Sequence, residues 1–457
     1  MAGAKLTKTF SSAGNTKTGT QSFWIKRSKI STNMMAGMVS TGGGSYYGMQ
    51  FLTSDQIDFY LYYNTSASAW QGRLKTNRKF RDTNGWYHFV IAWDTTQGTN
   101  TNRLKMYVNG VQETSFEIAT YPNQDQTFLY NAAQAHAING EGGGFFDGEM
   151  AHYHWVDGTA YTPTTFGETD ATTGIWKPKA SPSGISYGTN GFFLKFENAA
   201  NMGLDSSGQS NNWTTSGTII KNIDTPDNVF CTLNPLDCDL VSGLSNANTT
   251  FSGFNTGTDY SATSSTLSAS SGKFYWEAKV TDLAEIDQVG VRLQNGVSMS
   301  IQGSNGSAGL QGTAYGGKGV QFSNGNKAGD GSQSAYMGGF SANDIIMVAL
   351  DLDNNKITFG RNGQWSDGSG NANQTYANST AAFTNLTAGE FYCPAQTSRS
   401  YGSNSGTTHY NFGNGYFGTT AVSSAQNPDD GIGIFEYDPP SGFRALCTKS
   451  INAEEYS

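Results

Sequence analysis

Proline and cysteine are scarce in this chain, with 10 and 4 residues among 457. The four cysteines, Cys231, Cys238, Cys393 and Cys447, form no CxxC pair, and no histidine stands at ligand spacing from them. That excludes a dense disulfide framework and a zinc cluster, and reads as scattered reduced thiols. Charged residues amount to only 14%, with a formal net charge of −9 and no basic patch interleaved with aromatics. Nucleic acid is therefore not an expected partner. No segment approaches the roughly 20 apolar residues that span a bilayer, so no membrane partner is expected. Met1 to Leu6 lacks an apolar signal region, and the expectation is synthesis in a cytoplasm without export by that route. The Asn-x-Ser/Thr sequons at Asn64, Asn248, Asn378 and Asn385 then follow from composition. Helical periodicity of useful length is also missing.

What is present is glycine, at 57 residues, and an aromatic content of 13%. Few charges and much glycine would suit a disordered chain, but large apolar side chains give a core enough area to offset chain entropy. Two Asn-Gly turns stand about 250 residues apart, at Asn109-Gly110 and Asn362-Gly363, each after an alternating run. Asn-Gly tolerates the positive φ angles of a two-residue β-turn, so each marks a hairpin. In Ile57 to Tyr63, Ile57, Phe59, Leu61 and Tyr63 share one face and Asp58, Tyr60 and Tyr62 the other. That is the period of a half-buried strand. Trp86 to Asp94 and Asp344 to Asp351 are apolar nearly throughout and read as central strands.

The reading is an all-β chain of two antiparallel β-sandwich, jelly-roll domains joined by an ordered connector. The first domain spans 1–171, the connector 172–243, and the second domain with a C-terminal tail 244–457. The connector holds Pro178, Pro182, Pro226 and Pro235, one strand at Gly191 to Phe196, and Trp213 in a turn-rich patch. The Gly/Ser/Asn-rich stretch from Gly296 to Gly339 reads as a long insertion and a candidate functional surface. The tail from Ile451 reads as a mobile or partner-docked end.

Several motifs carry resemblances. Ser22-Phe23-Trp24-Ile25-Lys26, Trp86-Tyr87-His88, Tyr107 to Gly110 and Phe146-Asp147-Gly148 mark Ser22 to about Gly167, which resembles the laminin-G/concanavalin-like lectin superfamily. Gly272 to Glu277, Asp351-Leu352-Asp353 leading to Asn362-Gly363, and Asn411-Phe412-Gly413 mark Leu244 to Gly418, which looks like a SPRY domain. Asp157 to Pro163, Leu204 to Gly208, Thr225 to Pro235 and Pro439 to Cys447 are similar to virion proteins of tailed phages, where the two modules occur in tandem. This resemblance implies a non-enzymatic structural protein of the virion, a tail fibre, spike or head appendage that recognises host-surface glycans or a protein receptor. Other virion proteins and a homo-oligomer, a trimer by resemblance, are the implied partners. A capsid or tail decoration protein without host binding is the alternative, and a polysaccharide depolymerase is the third.

Concanavalin-like folds include glycoside hydrolases, which need two carboxyl groups roughly 5 Å apart in the retaining case. No Glu-x-Asp-x-Glu alternation occurs to supply them. Asp147-Gly148-Glu149 and Asp351-Leu352-Asp353 read as turns. There is no Ser-His-Asp signature and no phosphate loop, so no catalytic residue is named. His152 and His154, with Asp157 as third ligand, read as partly buried imidazoles rather than a metal site. Asp94, Asp147 and Asp157 could share a calcium-binding rim, but spacing shows no convergence, and neither a metal nor a cofactor is assigned. Sugars are gripped by exposed aromatic faces beside small residues. The candidates are Tyr46 and Tyr47 after a glycine run, Tyr315 beside Gly316-Gly317, and Trp365 with Asp367 past the second Asn-Gly turn.

Overall fold

Alternating runs with tight turns build sandwiches, and the computed structural model divides into two units, residues 1–221 with 225–227, and 222–224 with 228–457. It describes residues 3–40, 45–64, 69–140, 144–180, 182–239, 241–253, 261–283, 287–295, 309–313, 316–399 and 406–455.

In the first unit the strands are β1 (Lys5–Thr9), β2 (Thr18–Arg27), β3 (Met34–Met35), β4 (Met38–Ser40), β5 (Ser45–Phe51), β6 (Gln56–Asn64), β7 (Ala69–Lys79), β8 (Tyr87–Asp94), β9 (Leu104–Val108), β10 (Val111–Gln112), β11 (Phe116–Thr120), β12 (Ala135–Ile138), β13 (Gly148–Asp157), β14 (Gly167–Thr169), β15 (Trp176–Pro178), β16 (Phe192–Leu194) and β17 (Thr214–Ser216). One sheet runs β10-β9-β8-β2-β13-β16. The opposing layer has two parts, β11-β7-β6-β5-β3 and β17-β1-β12-β4. These parts meet where β3 pairs with β5 and β4 with β12, and the Ala36 amide between them donates to Met49 O at 2.7 Å. β3 and β4 are thus two halves of one interrupted strand.

Between the layers lie Phe23, Phe51, Phe59, Phe89, Trp93, Tyr130, Tyr153 and Trp155, each at most 2% exposed. Each such side chain contributes about 1.5–3 kcal/mol through burial. Arg27 is also fully buried, 3.1 Å from Asp55 and stacked over Phe51. Asn109 and Gly110 have φ of 49° and 82°, the mirror-image turn expected between β9 and β10.

The residues read as a connector are ordered and divide between the units. β16 extends the first sheet beside β13, Trp213 enters the first core, and β17 pairs with β1. Tyr161, Phe166, Ile185 and Tyr187 cover the outer face of the six-stranded sheet, where Phe166 packs on Val90 and Val156.

The second unit holds β18 (Leu233–Cys238), β19 (Leu244–Ser245), β20 (Thr250–Ser252), β21 (Ser261–Ser265), β22 (Lys273–Asp282), β23 (Gln288–Leu293), β24 (Lys318–Gln321), β25 (Lys327–Gly329), β26 (Ser332–Ser334), β27 (Ile345–Asp351), β28 (Lys356–Arg361), β29 (Gln364–Ser366), β30 (Ala372–Gln374), β31 (Tyr392–Ser398), β32 (Thr407–Asn411), β33 (Tyr416–Phe417), β34 (Thr420–Ala421) and β35 (Arg444–Ala445). Its sheets run β18-β21-β31-β23-β24-β25-β26 and β19-β20-β32-β22-β27-β28-β29-β30, with β35 parallel to β22. Asn362 and Gly363 make the second turn with φ of 50° and 85°.

Two sequence expectations are corrected here. Within the stretch read as an insertion, β24 to β26 are sheet strands, and β24 is buried along its whole length. Its glycines permit close backbone packing: a Cβ on Gly319 would lie 2.8 Å from a Leu310 methyl carbon. The C-terminal tail is not a loose end, since α1 (Thr448–Glu455) docks through Ile451 and an Arg444 to Glu454 ion pair of 3.0 Å.

Candidate binding surface

The loop candidates fare unevenly. Tyr47 is 2% exposed, packs on Tyr130 with centroids 4.1 Å apart, and its hydroxyl bonds His136 Nδ1. It cannot stack on a ligand, because its pleat position points it into the core. Trp365 is 4% exposed, wedged edge-on against Tyr376 with ring centroids 5.0 Å apart, and is likewise structural. Asp367 is on the surface but staples its own loop, accepting from the amides of Ser369 and Asn371 and from Asn371 Nδ2. The Asn371 side chain is the largest influence holding its carboxyl below the usual range. Tyr315 lies outside the described residues. Tyr46 belongs to β5, with its side chain outside them too.

The calcium-rim carboxylates do not converge as a site. Asp94 caps Thr96 and Gln97, Asp147 pairs with Lys29 at 2.8 Å, and Asp157 accepts the amides of Asn15, Thr189 and Asn190. Among the described residues no three His, Cys, Asp or Glu side chains form a metal cluster. Asp351 and Asp353 are turn staples, accepting from Asn354 and from the Gly272 amide. His88, His136 and His154 belong to the core, whereas His152 and His409 are partly buried. Trp176 Nε1 can only donate, and it points at His88 Nδ1 from 2.9 Å. The remaining ring proton therefore sits on His88 Nε2, 2.9 Å from Ser22 Oγ.

The surface that does present aromatic and polar groups together is the outer face of the layer containing β6 and β7. On β6, Ile57, Phe59 and Leu61 enter the core, so Asp58 and Tyr60 turn outward. On β7, Leu74 enters the core and Arg73 and Lys75 turn outward, opposite Tyr60 and Asp58. Trp70 and Tyr60 rings lie 5.0 Å apart at 52°, and the Arg73 guanidinium sits 4.8 Å over Trp70. Both rings are only partly buried. Arg73 grips Asp58 through two bonds, 2.9 and 2.7 Å. Lys75 lies 2.7 Å from Glu117, whose other oxygen accepts from Gln56 Nε2. Lys75 and then Gln56 hold the Glu117 carboxyl below its ordinary range. Burial raises the Tyr60 hydroxyl to about 12. The face therefore offers a fixed pair of rings beside oriented hydrogen-bonding groups. Its signal was in the sequence, because Asp58 and Tyr60 fall on the polar side of the alternation; Trp70 and Arg73 carried none.

The comparisons follow this division. The profile of the concanavalin A-like lectin/glucanases superfamily matches residues 3–165, and that of the SPRY domain matches residues 273–414. Among solved structures, the SPRY domain of human HERC1 is 18% identical, covering 39% of this chain and 96% of its own, with a TM-score of 0.27. The TRIM65 PSpry domain is 14% identical, with coverages of 40% and 91% and a TM-score of 0.27. Stonustoxin is 16% identical over 40% of this chain and 27% of its own, with a TM-score of 0.28. No curated protein matches the chain. The chain carries, in tandem, a concanavalin A-like lectin/glucanases domain and a SPRY domain.

Proposed function

We propose that this protein is a non-enzymatic adhesion component of a tailed-phage virion, in the manner of a tail fibre, that holds host-surface glycans on its lectin-like domain. The single observation that carries the reading is the outward Trp70 and Tyr60 pair, braced by the Arg73 and Asp58 ion pair on a rigid sheet. A sugar places its C–H face on such rings and its hydroxyls on the flanking Arg73 guanidinium and the exposed Glu117 carboxylate. The phage setting rests on the similar motifs around Asp157, Leu204, Thr225 and Pro439.

The carboxylates of this face suit binding better than hydrolysis. A general acid needs a raised pKa, whereas Asp58 and Glu117 are each bound to a cation. Among the described residues the carboxyl that burial raises, Glu277, is fully enclosed. In a homo-oligomer, weak sites would gain avidity through effective concentration.

The test is binding of the purified protein to host envelope polysaccharide by biolayer interferometry. Trp70→Ala is expected to weaken binding about 30-fold, as an aromatic anchor worth roughly 2 kcal/mol would. Unchanged affinity would overturn the site. Release of new reducing ends would replace adhesion with depolymerisation. Particle imaging with this face covered by neighbouring subunits would instead favour a decoration protein.

A further inference from the structure

Regular pleating alone would not put Trp70 and Arg73 on one face. They stand three residues apart on β7, and in an even strand such side chains point to opposite sides. The pairing of β6 with β7 is uneven here. Tyr60 lies opposite Arg73, Tyr62 opposite Gly72 and Tyr63 opposite Trp70, with register shifts between Tyr60 and Tyr62 and between Tyr62 and Tyr63. Irregularities of this kind re-aim side chains. A Cβ on Gly72 would lie 3.1 Å from Cβ of the core residue Leu61, which fixes the inward side of β7 beside the shift. The Trp70 ring is thereby set against Tyr60 and under the Arg73 guanidinium.

The charges of this face are tied to one another. Arg73 spends Nε and Nη2 on the two oxygens of Asp58, at 2.9 and 2.7 Å. That is the side-on fork with which a guanidinium takes up a carboxylate. Lys75 gives its ammonium to one Glu117 oxygen, and Gln56 Nε2 fills the other. Two cations thus answer two carboxylates, at different depths: the Asp58 side chain is 4% exposed and that of Glu117 is 47% exposed. A ligand carboxylate arriving at the rings would find the Arg73 fork already taken from below, and a solvent-facing anion on the next strand but one from Tyr60. The whole chain adds a net charge of −9. A sugar hydroxyl meets no such opposition, since it can donate to Glu117 and accept from a cation without displacing an ion.

We propose that Asp58 and Glu117 determine specificity: by locking Arg73 and Lys75 they make the Trp70 face select uncharged, hydroxyl-rich glycan chains and reject chains bearing carboxylate, sulfate or phosphate. This inference rests on the adhesion reading above and names its ligand class. The purified protein would first be read against an array of neutral, uronate, sialylated and sulfated glycans, and the bound set should be neutral. Calorimetric titration would then compare the best-bound neutral oligosaccharide with the same oligosaccharide after its C6 hydroxymethyl groups are oxidised to carboxylates. The oxidised form is expected to bind on the order of tenfold more weakly, as like-charge juxtaposition supplies. Raised salt should narrow that gap through screening. Asp58→Asn releases the Arg73 fork and should raise the affinity for the oxidised form about tenfold relative to the neutral one, through a bidentate charge-assisted pair. Glu117→Gln should also narrow the gap, and Glu117→Asp should keep it. Because Glu117 is exposed, its variants keep the test readable if Asp58→Asn fails to fold. The readout is the ratio of the two affinities, since a merely structural change weakens both ligands alike. Acidic glycans bound as tightly as neutral ones, or a ratio unmoved in Glu117→Gln and in folded Asp58→Asn, would overturn the specificity assignment and leave adhesion standing. No glycan bound in any class would overturn adhesion itself.

Discussion

Glu277→Gln lowers the melting temperature of the second unit by roughly 10 °C, the expectation for losing about 3–5 kcal/mol from a domain of this size. The carboxylate is fully buried on β22 and accepts four bonds. Tyr275 Oη and the Tyr437 amide reach one oxygen at 3.0 and 2.8 Å. Asn411 Nδ2 and the Glu436 amide reach the other at 3.1 and 2.9 Å. A glutamine would turn an NH₂ toward donors and strand them in the core. Two of those donors are the backbone amides that tie the C-terminal segment to the sheet, next to Phe435 in its cluster with Tyr275. Hydrogen exchange should therefore accelerate first at Glu436 and Tyr437. A pH signature accompanies the loss. Burial raises Glu277 to about 7 against the pull of its donors, above the ordinary 4.5. The folded state then binds the proton more tightly than the unfolded chain. This group's contribution is complete below pH 4.5 and declines as pH rises through 7. Glu277→Gln should flatten that part of the stability profile. Calorimetry showing an unchanged second transition would rule out the anchoring role.

Acid unfolds the first unit, and histidine sets the pH. His88, His136 and His154 are at most 1% exposed. Desolvation depresses His88 to about 3 and His136 to about 4, and drives His154 well below its usual range, with His152 and His88 adding repulsion there. Geometry independently requires a neutral ring at His88, and the surroundings of the other two suit one. His88 accepts from an indole, and His136 Nε2 lies 3.2 Å from a carbonyl while Nδ1 faces the Tyr47 hydroxyl. His154 is stacked 3.8 Å from Phe193. Each folded pKa lies below the unfolded value near 6.5, so the unfolded chain binds more protons as pH falls. Stability is therefore complete above 6.5 and is lost toward each folded pKa, at roughly 1.4 kcal/mol per pH unit per ring. Three rings together cost about 6 kcal/mol by pH 5, comparable with the whole stability of many domains. The second unit has only His409, shifted down less, by burial and then Lys279. Two-transition calorimetry between pH 7 and 4 should show the first unit's transition falling steeply. His88→Gln should shallow that fall by about one proton. A first transition insensitive to pH would defeat this account.

The sequence alone determined the β class, the two sandwiches and the two Asn-Gly turns. Those features rest on neighbours two residues apart or on one residue's φ preference, and both are local. Alternation also sorted Asp58 and Tyr60 from Ile57 and Phe59 correctly. Only the tertiary structure decided what each aromatic faces. Tyr47 and Trp365 read as exposed because glycine and polar residues flank them, yet Tyr47 meets His136, 89 residues away. Glu277 finds its amides 159 and 160 residues along the chain. The surface that joins Tyr60 and Arg73 to Glu117 exists only once β6, β7 and β11 are paired. A strand's pattern states which face is buried; which strands adjoin it, and hence which side chains form a surface, is set by long-range register that no local pattern encodes.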